Sequence, residues 1–343
     1  MSEDNRRNRP TLADIARAAG VSIASVSRVL NNVSPISGEL RARVESAVGE
    51  LGYEGKRSSA SLQRAVVAII GDAHNTYFFD IVSGITDQAT RHGILVVVVE
   101  SRADPAFSDR LFQWIGRAPA LGVIVCISDA IPEEACIRFR KAQGVPVVVL
   151  NRSARMAGIP GVRIDYERAM DTAVRHVVSF RHRRIAFLNG PEEAYSSVAK
   201  RLGVEKTLHA LGFDLLPEFH ITQPPTIEGG FRAMNELLAL PPKRRPTAVI
   251  ATSDLMALGA MHAIRSQGLS IPQDISVVGF DNIAMAAHAN PPLTTISPPK
   301  FEMGSQAMQI ILRQTDTEPA LPEEYVVMES PLIVRESSGP CSE

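Results

Sequence analysis

Cysteine is scarce in this chain: Cys126, Cys136 and Cys341 are the three among 343 residues. An odd number without metal-ligand spacing builds no disulfide framework and no metal site, and it suits a reducing compartment. Long apolar runs are also missing. Residues 94–99 are far too few to span a bilayer, which takes about 20 residues. The N-terminus Met1-Ser2-Glu3-Asp4-Asn5-Arg6-Arg7 lacks the apolar core of a signal peptide, so a cytoplasmic location and no membrane partner are expected. Neither charge sign dominates, with a net charge of -1. Residues 1–62 carry nine Lys or Arg against seven Asp or Glu, and the remainder 27 against 30, a basic excess too mild to indicate nucleic acid by itself. Equally absent are a glycine-rich phosphate loop, a Gly-x-Ser-x-Gly elbow, a His-Glu-x-x-His pair and a convincing nucleophile with its base. No enzyme, catalytic residue, cofactor or metal is expected.

What is present begins at Thr11. Thr11 and Asp14 have capping-box spacing at the head of a short helix, with Ile15, Ala16 and Ala19 as its inward face. Gly20 sits where a left-handed residue ends that helix, and Ser22 offers the next N-cap. A second helix follows at once. Val26, Val29 and Leu30 recur at helical spacing and are expected to pack on the first helix, leaving Ile23, Ala24, Ser25, Ser27 and Arg28 outward. Two capped helices joined by one glycine read as a helix-turn-helix, whose second helix enters the DNA major groove. The bare pattern fits an ordinary surface helix pair equally well. A third helix is predicted from Ser37, with Leu40, Val44, Ala47, Val48 and Leu51 as its stripe.

The full motif, Thr11 to Asn31 and then Glu50-Leu51-Gly52-Tyr53, resembles the headpiece of the lactose-repressor (LacI/GalR-type) family of bacterial transcription regulators. The resemblance implies DNA contacts from Ser22, Ile23, Ala24, Ser25, Ser27, Arg28 and Asn31, then a hinge helix at 56–64 with Lys56 and Leu62. Leu62 there is a minor-groove wedge, since an apolar side chain can unstack a base step and kink the duplex. Read alone, it is more readily the first core residue of the next domain. Ile23 and Ala24 favour apolar contact, as with a thymine methyl.

From about residue 65, short β-branched runs such as Val66-Val67-Ala68-Ile69-Ile70 and Val96-Val97-Val98-Val99 alternate with helical patterns. Continuous apolar runs predict strands buried on both faces, hence parallel sheets covered by helices. The expected fold class is therefore α/β: an all-α headpiece (1–55), and, by resemblance, a periplasmic-binding-protein-like effector body of two lobes, 65–162 with 293–323 and 163–292 with 324–336. Residues 337–343 read as a polar tail.

Ligands of such sheets sit beyond the carboxyl ends of the strands. The resemblance places Tyr77, Phe78, Ser128, Arg152, Lys200, Asp254 and Asp281 in the cleft between the lobes. Asp281, directly after a predicted strand, suits two ligand hydroxyls or a helix N-cap; Asp254 suits either role too. Tyr77 and Phe78 would close over a ligand, although such a pair is also ordinary core. Departures from the family pattern bear on the ligand: Lys200 stands where relatives carry arginine, and lysine cannot form arginine's planar fork. Pro225 stands near the place of a stacking aromatic, Arg181-His182 replaces the usual Gly-His, and Gly55-Lys56 replaces Pro-Asn. Lys243-Arg244-Arg245 and 181–184 read as solvated loops.

An exported sugar-binding protein would explain only the cleft, and an α/β enzyme neither headpiece nor hinge. The reading is a repressor that acts as a homodimer on double-stranded, near-palindromic operator DNA, controlled by a small effector. A sugar or sugar acid, with Lys200 or Arg152 meeting any carboxylate, is the first expectation. A nucleoside or purine stacked on Tyr77 and Phe78 is the second.

Overall fold

A computed structural model describes residues 10–30, 37–51, 65–71, 73, 75–101, 107–117, 120–126, 131–152, 159–316 and 325–342. Asn31, Lys56, Leu62 and Ser128 fall outside the described residues. The chain divides into two units, Met1–Ser61 and Leu62–Glu343.

The first unit contains α1 (Leu12–Ala19), α2 (Ile23–Leu30) and α3 (Gly38–Glu50). Both halves of the capping box form: the Thr11 hydroxyl accepts from the Asp14 amide, and the Asp14 carboxylate accepts from the Thr11 amide at 2.9 Å. Gly20 ends α1 at φ 62°, and a Cβ there would come within 2.8 Å of the Arg43 guanidinium. Arg43 needs that space. It reaches back from α3 to donate to the carbonyls of Ala19 and Gly20 at 2.7 and 3.1 Å, satisfying carbonyls that the end of α1 leaves open. Ile15, Ala16, Ala19, Val26, Val29, Val44 and Ala47 form the core. Leu30 does not join it: the last residue of α2 overhangs the three-helix contact and is 41% exposed. Leu51, at the C-cap of α3, is likewise exposed.

The second unit holds two six-stranded sheets. The first is built from β1 (Ala65–Ile70), β2 (Leu95–Glu100), β3 (Gly122–Cys126), β4 (Val147–Leu150), β5 (Gly161–Ile164) and β11 (Tyr325–Met328), in the order β11-β5-β4-β3-β1-β2. The second is built from β6 (Ile185–Asn189), β7 (His220–Thr222), β8 (Ala248–Ala251), β9 (Ser276–Phe280), β10 (Thr294–Ile296) and β12 (Leu332–Ile333), in the order β12-β10-β9-β8-β6-β7. All pairings are parallel except β10 with β12. The strands β1, β3, β4, β6, β8 and β9 are buried throughout. Strand β2 is not, because it closes an edge: Leu95 is 64% and Val98 46% exposed, so that apolar run is not covered on both faces.

Strand membership relocates the crossings between lobes. Strand β5 belongs wholly to the first sheet and β10 to the second, so the chain crosses after Ile164 rather than at 162, and at 297–299 rather than at 292. The third crossing lies at 329–331, between β11 and β12, instead of near 324.

After the second crossing, α12 (Lys300–Asp316) packs along α4 (Tyr77–Arg91) in the first lobe. A glycine pair permits this approach. A Cβ on Gly84 would lie 2.0 Å from the Phe301 carbonyl oxygen, and one on Gly304 2.0 Å from that of Ile81. One apolar cluster runs through the joint between the lobes, with Val66, Ile81 and Met303 on one side and Phe187, Val278 and Phe280 on the other.

The C-terminal segment is no free polar tail. Ser337 is fully buried; its carbonyl accepts from the Val277 amide, and its hydroxyl accepts from the Thr294 amide. His182 lies between the Thr247 and Ser276 hydroxyls and the Gly339 carbonyl at 3.0 to 3.1 Å. The segment acts as an extra edge, stitched to β9 and β10 by partners far away in sequence. Arg181, in place of the family's usual glycine, takes φ 69°, a left-handed conformation that costs a residue with a Cβ about 1–2 kcal/mol.

Candidate DNA-reading face and effector site

Among the described residues the candidate reading helix is α2. Ser22 caps it, accepting from the Ser25 amide at 3.1 Å. Its outward residues stand as expected: Ser22, Ile23, Ala24 and Arg28 are exposed, while Ser25 and Ser27 are half-buried. Ile23 is 52% exposed, an apolar side chain left on the surface of a helix that already has a core of its own. With small residues beside it and one cation, this face can approach a groove closely and contribute a guanidinium to a base edge or phosphate. Of the basic loop clusters, Arg244 pairs with Glu218 at 2.7 Å on the surface, whereas residues 181–184 are not simply a solvated loop: His182 is buried, Arg184 donates to the Arg245 carbonyl, and Arg183 covers the Phe213 ring.

In the second unit, Asp281 follows β9 at the strand's carboxyl end, in the left-handed region at φ 114°, and is 9% exposed. Its main chain is held, with the amide donating to the Ile296 carbonyl at 2.9 Å. Its carboxylate has no hydrogen-bond partner among the described residues. Burial pushes its pKa up to about 6, although the ammonium groups of Lys200 and Lys300 pull the other way. An acceptor-only group, strained and desolvated with its lone pairs unused, is a seat for donors that arrive from outside.

The other carried-over residues occupy different roles. Asp254, fully buried as the first residue of α10 (Asp254–Ser266), accepts from the Thr295 hydroxyl at 2.6 Å and from the Ile283 amide at 2.8 Å. It is neither the N-cap, which is Ser253, nor an open ligand contact, because both oxygens are used to brace β10 and the loop after β9. Burial, reinforced by the Asp281 charge, raises its pKa to about 7.

Lys200, on α8 (Tyr195–Ala210), is buried. Its ammonium donates to the Thr252 carbonyl at 2.8 Å and lies 3.7 Å from the centre of the Phe280 ring and 5.2 Å from that of Tyr166. Burial lowers its pKa to about 8, against the pull of Asp281 and Asp254. The lysine is thus held by carbonyl and ring faces. Arg152, just past β4, donates to the Ile131 carbonyl at 2.6 Å and so ties β4 to the segment that precedes α6 (Glu133–Gln143).

Tyr77 and Phe78 are buried, at 4% and 6% exposure, with ring centroids 5.4 Å apart edge to face. The first turn of α4 packs both rings into the apolar core of the first lobe. Burial raises the Tyr77 pKa, and its hydroxyl accepts from the Asn151 side-chain amide at 2.9 Å. Asn151 also accepts from the Ile164 amide at 3.2 Å. This asparagine, at φ 51°, was not singled out in the sequence. Pro225 lies exposed in the turn before α9 (Ile227–Leu238).

Lys300 was missed as well. Its ammonium meets the Asp80 carboxylate at 3.1 Å and donates to the carbonyls of Asp281 at 2.6 Å and Asn282 at 3.0 Å, in a residue 7% exposed. A lysine in the first turn of a helix, where the dipole disfavours a cation, was the available signal.

Comparison with known proteins agrees with both units. Residues 11–55 match the family model for bacterial regulatory proteins of the lacI family, and residues 174–338 that for a periplasmic binding protein-like domain. The chain is 33% identical over 318 residues to the HTH-type transcriptional repressor CytR of Escherichia coli (strain K12), covering 92% of each. Among solved structures it is similar to the transcriptional regulator CelR-cellobiose complex, with a TM-score of 0.70 and 28% identity over 96% of this chain and 100% of that one. It is also similar to the lac repressor dimer bound to operator and the anti-inducer ONPF, with a TM-score of 0.76 and 26% identity over 96% and 99%. Among the described residues, no helix is long and apolar enough to cross a membrane.

Proposed function

Because the chain belongs to the LacI family of bacterial transcription regulators, we propose that it represses transcription as a cytoplasmic homodimer, its grip on operator DNA set by a neutral, hydroxyl-rich effector anchored on Asp281. Family membership makes it a DNA-binding regulator with a ligand-binding body and not an enzyme. The observation that carries the ligand class is the Asp281 carboxylate, nine-tenths buried and without a hydrogen-bond donor among the described residues. Two vicinal hydroxyls of a sugar would supply those donors. A neutral sugar is favoured over a sugar acid because the group left without donors is itself an anion, the Asp281 carboxylate, which would repel a second carboxylate. A stacked base is disfavoured by the burial of Tyr77 and Phe78. The cellobiose carried by the CelR structure is a neutral polyol of the same chemistry.

A thermal-shift screen of sugars, sugar acids and nucleosides identifies the ligand, and calorimetry on Asp281→Ala then tests the anchor. Removing an acceptor of two hydroxyls leaves them unpaired, so affinity should fall by roughly 2–4 kcal/mol, while DNA binding without effector survives. Equal affinity in the variant overturns the anchor, and a sugar acid or nucleoside as the sole hit overturns the ligand class.

A further inference from the structure

The loop that carries Asp281 is held from both lobes, and one side chain reaches it from the first. On the second-lobe side, the Asn282 amide donates to the Thr295 hydroxyl, its side-chain amide donates to Ser297, and Arg335 donates to its side-chain oxygen at 2.8 Å. On the first-lobe side, the hydrogen bonds to the loop found among the described residues come from Lys300. It heads α12, directly after the Ser297-Pro298-Pro299 crossing, and α12 packs on α4 and on the first sheet. Its three acceptors are the Asp80 carboxylate from α4 and the carbonyls of Asp281 and Asn282 from the second lobe. An ammonium has three donors, and all are used.

The placement is unfavourable unless those acceptors stay in place. Burying an ammonium is costly without compensation, and the positive end of a helix dipole adds to that cost. Two consecutive residues at φ 114° and 48° turn both carbonyls onto the same cation. If the lobes part at this edge, or the loop moves, the lysine loses two of its three partners while remaining buried. The bridge therefore has a made and a broken state rather than a graded one, which is what a lever between two rigid bodies requires.

We propose that Lys300 is the positioning residue that transmits the state of the Asp281 loop to the first lobe, a latch of Asp80, Lys300 and the two loop carbonyls that sets the angle between the lobes. The consequence for regulation rests on Asp281 being the effector's anchor: hydroxyls drawn to its side chain act on the same residue whose carbonyl holds the latch. The latch itself does not depend on that reading, and neither does its test.

The test uses the full chain without effector. Spin labels at Glu134 and Glu192, exposed residues beyond the carboxyl ends of β3 and β6 on opposite lips of the cleft, report the separation of the lobes by pulsed electron resonance, in a Cys341→Ser background. Lys300→Met keeps most of the length of the side chain and removes the ammonium that the cradle holds. Asp80→Asn, at a carboxylate 58% exposed, weakens the same latch with little risk to folding. In both variants the distance distribution is expected to broaden and its mean to lengthen by more than about 2 Å, the scale of a domain rearrangement, and the double variant to add nothing to Lys300→Met. A lower melting temperature with an unchanged distribution would assign Lys300 a purely structural role and overturn the latch. So would additive effects of the two substitutions. Loss of sugar binding in Asp281→Ala supports the anchor, whereas unchanged binding there alongside an altered distance in Lys300→Met refutes the anchor and keeps the latch.

Discussion

Asp281→Asn should make the effector-free protein more stable and a poorer receptor. The carboxylate is 9% exposed, and burial raises its pKa from 3.8 to about 6 even with Lys200 and Lys300 nearby. At 1.36 kcal/mol per pH unit, that shift corresponds to about 3 kcal/mol of penalty for carrying the charge in the folded state. The folded protein binds this proton more tightly than the unfolded chain, so the group's contribution to stability is fully present below its unfolded pKa, near pH 4, and is lost as pH rises through about 6. Asparagine keeps the shape, is among the residues that tolerate left-handed backbone, and carries no charge. Its advantage should therefore grow from under about 1 kcal/mol at pH 4 to about 3 kcal/mol above pH 7. Two neighbours respond in opposite directions: Asp254 loses a repulsive charge and Lys200 an attractive one, which offsets much of either effect. Urea unfolding followed by far-UV circular dichroism at several pH values reads the gain directly. A variant less stable than the parent at pH 8, or a gain equally large at pH 4, would refute the argument that this carboxylate is held charged at a cost for the sake of a ligand.

Two further outcomes can be checked independently. Arg28→Ala removes the one charged side chain on the outward face of α2 and should weaken binding to a selected operator by roughly 1–3 kcal/mol; unchanged affinity in a gel-shift titration would remove α2 as the reading helix. Arg181→Gly, at φ 69°, should stabilise the second unit by about 1 kcal/mol, since glycine adopts that conformation without a Cβ clash although it gains entropy when unfolded; a lower urea midpoint would show that the arginine side chain outweighs the strain.

How much of this was legible in the chain depended on the distance over which each signal acts. The capping box of Thr11 and Asp14, the glycine stop at Gly20, the outward set on α2 and the alternation of strand and helix are all written within a few residues of themselves, because caps and periodicity are local. The same holds for Asp281, whose place directly after an apolar strand puts it at a carboxyl edge in any doubly wound sheet. What only the tertiary structure decided is where partners come from elsewhere in the chain. Asp254 looked like a ligand contact until Thr295 and Ile283 took its oxygens. Lys200 looked available until Thr252 and Phe280 enclosed it, and residues 337–342 looked free until β9, β10 and His182 received them. Lys300 gave little local sign of its role, since its acceptors lie 18 to 220 positions away and meet only when α4, the β9 loop and α12 are folded together. A polar side chain declares its chemistry in the sequence, but whether that chemistry remains available is settled by which distant backbone carbonyls, hydroxyls and rings fill its bonding capacity once water has been excluded.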